Sequence, residues 1–128
     1  MYTKITVEAN KGGKIMTLAE FHRLRIDAEE CGNLEEYMYE ESGSLPAEYY
    51  SEDSSADKAI KIMKIIWELT NDFTFKKLRA ISGMTQLEMI REYGIPRRTV
   101  EDWDGGHRVP PEYVLELLAA DVLSTKIE

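Results

Sequence analysis

The sequence holds a single cysteine, Cys31, among 128 residues. It cannot close an internal disulfide, it excludes a cysteine-based zinc site, and it fits a reducing compartment. No apolar run approaches the roughly 20 residues that a membrane helix needs, so no membrane span is expected. The first residues, MYTKITVEANKGGK, lack the apolar stretch of a secretory signal. Basic residues are outnumbered, 16 Lys+Arg against 24 Asp+Glu for a net charge of −8. A uniformly basic nucleic-acid binder is thereby excluded, and any such contact must come from a local basic face. The two histidines, His22 and His107, lack a metal-ligand pattern. There is no nucleophile elbow, no phosphate-binding glycine loop and no carboxylate–histidine set, and Lys11-Gly12-Gly13-Lys14 is too short for a P-loop. The expectation is therefore a protein that is not an enzyme and has no cofactor or metal.

What is present is ordinary globular composition, 43% hydrophobic and 31% charged. The charge is unevenly placed. Between Ile26 and Asp57 stand eleven carboxylates and no Lys or Arg, together with Tyr37, Tyr39, Tyr49 and Tyr50. This stretch has three readings: a solvated helix and loop, a partner-binding surface, or a mimic of nucleic-acid charge. Tyrosine offers contact area at low entropic cost, so a partner surface would use Glu35, Glu36, Tyr37, Tyr39, Glu40, Glu41, Tyr49 and Tyr50. SGSLPAEYYSEDSS reads as a loop.

The rest of the chain reads as helices. Residues 2–8, YTKITVE, alternate as a short strand or hairpin would, although a ragged arm explains them equally. Thr17 with Glu20 fits a capping box, as does Thr85 with Glu88. From Ala56, Ile60, Met63, Ile66 and Trp67 form one apolar stripe with Ile62, Ile65 and Leu69 beside it, which predicts a largely buried helix or a dimer seam. Lys58, Lys61 and Lys64 fall on its solvated face. Four short helices follow, punctuated by Gly83, Gly94 and Gly105-Gly106. Pro96 is expected at the first position of its helix, and Val114, Leu117, Leu118 and Val122 are expected inward in the last one. Loops this short imply a compact bundle. The division expected is an acidic accessory segment, residues 1–55, and a bundle, residues 56–128.

One string carries more than periodicity. Thr85-Gln86, Met89, Gly94-Ile95, Thr99-Val100, Trp103, Gly106, Arg108 and Pro110 stand in unbroken register. Across about residues 74–122 the chain resembles the lambda-repressor-like (Cro/XRE) helix-turn-helix family. The residues suit that register, because Gly94 allows a left-handed turn and Met89, Ile95, Val100 and Trp103 can meet in one core. The opposite face then shows Arg97, Arg98 and Glu101. The resemblance implies that this second helix lies in a major groove, with Arg97 and Arg98 as base readers. It implies Gln86 near phosphate or a flanking base, and Thr99 and Arg108 on phosphate. Pro96 and Glu101 complete the expected DNA-binding set. The chain departs from the family at Ile90, where a small residue is usual, and at Gly105, where a basic one is common. Glu101, Asp102 and Asp104 place three carboxylates in or beside the reading helix.

The function implied is a sequence-specific DNA-binding transcriptional regulator of bacterial, phage or mobile-element origin. It would be cytoplasmic and homodimeric, with double-stranded operator DNA as partner. The alternative is a protein-binding module, such as an antitoxin or an anti-CRISPR-like inhibitor. Its acidic N-terminal part would grip a basic protein while the helix-turn-helix regulates its own promoter.

Overall fold

The computed structural model describes residues 16–41 and 55–127, with side chains placed except at 55–57. The expected strand at residues 2–8, and Tyr49 and Tyr50, lie outside the described residues. Within them the chain is a helical bundle of seven helices with no strand. These are α1 (Leu18–Glu30), α2 (Leu34–Glu41), α3 (Ser55–Asn71), α4 (Phe75–Ser82), α5 (Gln86–Tyr93), α6 (Arg97–Gly105) and α7 (Glu112–Thr125). None of them is long and apolar enough to cross a membrane.

Local chemistry sets the ends. The Thr17 hydroxyl accepts from the Glu20 backbone N–H at 3.1 Å, and the Glu20 carboxylate accepts from the Thr17 N–H at 2.9 Å, so two unpaired donors of α1 are satisfied reciprocally. Thr85 and Glu88 repeat the arrangement at α5. Gly94 closes α5 at φ 68°, a left-handed conformation that a side chain would strain. Pro96 differs from its expected place. Its ψ of 144° is extended, so it caps α6 and Arg97 is the first helical residue. Its carbonyl accepts the first bond of α6, from the Val100 N–H at 3.0 Å.

α3 is the spine. Ala59, Ile62, Met63, Ile66 and Leu69 recur at helical spacing and are buried. This stripe is rotated from the one expected, for Ile60 is exposed and Trp67 is half-buried against the Tyr37 ring, centroids 5.8 Å apart. α1, α2 and α4 pack on α3, and α7 packs on α1 and α4. Phe21, Leu24, Ala28 and Tyr37 join the same core as Phe75, Leu78, Met89 and Val100, so helices from either side of the expected division at residue 55 share one apolar interior. In α7, Leu115, Leu118, Ala119, Val122 and Leu123 are buried, while Leu117, expected inward, is 49% exposed.

A charged clasp fastens α1 to α7. Arg25 and Glu116, both 4% exposed, meet at 3.0 Å. Arg25 also reaches Glu29 and Glu112 and lies 4.7 Å from the centre of the Phe73 ring. His22 adds its Nδ1 at 2.7 Å from the same Glu116 oxygen.

Candidate nucleic-acid interface

α5 and α6 pack on each other across the turn Gly94-Ile95-Pro96. Val100 is fully buried, and Trp103 packs edge-on against Phe75 with ring centroids 5.5 Å apart. These two residues, one turn apart, fix the inner face of α6 and turn Arg97, Arg98 and Glu101 outward, where all three are exposed. Thr99 is half-buried. Pro96 supplies no side-chain cap, so the first N–H groups of α6 are left to solvent.

Beyond α6 the chain turns back at Gly106, φ 79°. The Asp102 carbonyl accepts from the N–H groups of His107 (2.9 Å) and Arg108 (3.2 Å). That bond pair brings Arg108 next to the outer face of α6. Arg98, Glu101, Asp102, His107 and Arg108 then line an open hollow of about 580 Å³. The Asp102 carboxylate lies between two guanidinium groups, 3.5 Å from Arg98 and 3.8 Å from Arg108. At 85% and 78% side-chain exposure both arginines remain accessible, and such exposed pairs are weak.

Gln86, expected near phosphate or a flanking base, has a partner within the protein. Its amide Nε2 donates to Asp104 Oδ2 at 3.0 Å, so it faces the protein. Asp104 also accepts two bonds from Arg79, at 2.8 and 3.0 Å, and Arg79 in turn donates to the Met84 carbonyl. The Arg79 bonds hold the Asp104 carboxyl below its usual range, against the opposing effect of burial, with Gln86 assisting. Arg79 therefore ties α4 to the end of α6. Sequence reasoning did not single it out, because its partner is 25 residues away. Of the three carboxylates expected to repel a phosphate backbone, Asp104 is ion-paired with Arg79 and Asp102 lies near Arg98 and Arg108. Glu101 alone of the three is exposed.

The acidic residues of α2 divide into two sets. Glu35, Glu36 and Glu40 are exposed, and so is Tyr39. Tyr37 and Glu41, expected on the same surface, turn inward. Tyr37 is fully buried and its hydroxyl donates to the Leu24 carbonyl at 3.0 Å. Glu41 is 4% exposed and lies 3.3 Å from Arg23. Burial, then a hydrogen bond with Asp27, raise its carboxyl above the usual range.

No protein-family model, curated protein or solved structure matches this chain.

Arg97, Arg98 and Arg108 offer planar donor arrays suited to phosphate oxygens or to guanine O6 and N7. Among the described residues no cluster of His, Cys, Asp and Glu could hold a metal ion.

Proposed function

We propose that the chain is a sequence-specific DNA-binding transcriptional regulator, acting as a repressor of its own promoter in the cytoplasm. In this reading α5, the Gly94 turn and α6 form a helix-turn-helix, and α6 enters the major groove. The observation that carries it is the pair Arg97–Arg98 in the open first turn of α6, with Val100 and Trp103 anchoring the opposite face. The register shared with the lambda-repressor-like family supports it. Arg97 and Arg98 read base edges, Arg108 and Thr99 contact phosphate, Pro96 sets the helix start, and Glu101 is the one exposed carboxylate able to accept from cytosine N4. Gln86 acts indirectly, through Asp104. Two protomers would present their α6 helices to successive major grooves about 34 Å apart and exclude polymerase from a near-palindromic site.

A second reading has an observation of its own. Glu35, Glu36, Tyr39 and Glu40 form an exposed acidic face on α2, which suits a basic protein partner such as an antitoxin or anti-defence inhibitor would bind.

Fluorescence anisotropy with the duplex upstream of the chain's own gene, at two salt concentrations and with unrelated DNA as competitor, separates the two. Saturable binding that survives the competitor is expected. Absence of binding at low salt overturns the first reading and directs attention to α2.

A further inference from the structure

A hollow of about 390 Å³ opens between the start of α4 and the Gly105-Gly106 turn. Phe73, Phe75 and Trp103 provide its aromatic wall, and Val109, 84% exposed, stands at its lip. Gly105 and Gly106 border it with backbone alone. Lys76 and Arg108, both exposed, are its cations. Two carboxylates also line it, and only Asp72, whose charge no cation among the described residues offsets, opposes an anion. Asp104 is held by Arg79 and Gln86, and Asp72 accepts from the Thr74 hydroxyl at 3.4 Å.

The geometry points to a binding site for a small aromatic carboxylate. The volume falls within the range of about 300–1,000 Å³ common to small-molecule sites. A flat ring can lie against Trp103 and Phe73 in offset or edge-on contact. One carboxylate can then take charge-assisted hydrogen bonds from Lys76 and Arg108. Because Arg108 also borders the outer hollow of α6, occupancy would draw it away from phosphate. The site thus goes beyond the regulatory reading, and its test needs no DNA.

The full chain, labelled with ¹⁵N, is titrated with indole-3-acetate and, separately, with the neutral indole-3-acetamide. Expected are saturable shifts of the Trp103 indole N–H and of the Gly105 and Gly106 amides. The amide should bind about tenfold more weakly, and Lys76→Gln should weaken the acid by a similar factor while leaving the rest of the spectrum folded. Absence of shifts at millimolar acid overturns the proposal. So does equal binding of acid and amide, or an unchanged affinity in Lys76→Gln. Failure of the chain to bind DNA would leave each of these results as it stands.

Discussion

Asp104 collects two hydrogen bonds from Arg79 and one from Gln86, and the consequence is a pH dependence with a definite sign. Its carboxyl is held below the usual range, chiefly by Arg79. Its contribution to stability is therefore complete above the unfolded value, about 4, and is lost as pH falls through the lower folded value. Asp104→Ala should cost about 1.5–3 kcal/mol at neutral pH, since it leaves the Arg79 guanidinium without its partner. Urea titrations from neutral to acid pH check this, and the variant should lack part of the acid-side loss seen in the parent chain. Glu41 behaves oppositely. Its folded value is raised, by burial first and Asp27 next, so its contribution fades as pH rises through that value. Glu41→Gln should then be at least as stable as the parent at neutral pH. At the outer face the relevant quantity is binding. Arg97→Ala with Arg98→Ala should cost about 1–3 kcal/mol per lost base contact and relax sequence preference. Operator binding that is unchanged in the double variant would remove α6 as the reading helix.

At the scale of the helix, Tyr37 shows how α2 is fastened. One hydroxyl bond reaches α1 and one ring contact reaches Trp67 of α3. Tyr37→Phe keeps the ring and should cost about 0.5–1.5 kcal/mol. Tyr37→Ala also opens a cavity and should cost about 3–5 kcal/mol. Equal losses in denaturant unfolding would mean that the hydroxyl bond, not the packed ring, holds α2. The two capping boxes and the Gly94 stop were readable because each involves residues within one turn. The inward turn of Tyr37 and Glu41 was not, because their partners Leu24 and Arg23 are 13 and 18 residues distant. The burial of Arg25 was not legible either, because its partner Glu116 is 91 residues away on α7. Apolar content marked α3 as buried, but its facing depends on α1, α2 and α4 together, which rotated the stripe past Ile60. The outward turn of Arg97 and Arg98 was legible because Val100 and Trp103, two and five residues beyond Arg98, determine it locally. The hold of Arg79 and Gln86 on Asp104 was not.

Across the whole molecule, an acidic chain that approaches DNA must do so through few contacts. Net charge −8 repels a phosphate backbone at long range, while the outer face of α6 concentrates Arg97, Arg98 and Arg108. Each phosphate neutralised contributes about −0.9 to the slope of log K against log salt, so a shallow slope is expected, and Arg108→Ala should reduce it by about one unit. The acidic face of α2 enters the same measurement as a background field. Reversing Glu35, Glu36 and Glu40 to Lys leaves the buried Tyr37 and Glu41 in place, so the fold should survive. DNA affinity should then stay level or rise, most visibly at low salt, where the Debye length is longest. The slope should keep its value, because no contact made by α6 has changed. A triple variant that loses DNA binding would put α2 within the nucleic-acid contact. One that binds DNA as before but no longer captures a basic protein held by the parent chain would make α2 the functional surface and α6 its promoter-bound accessory.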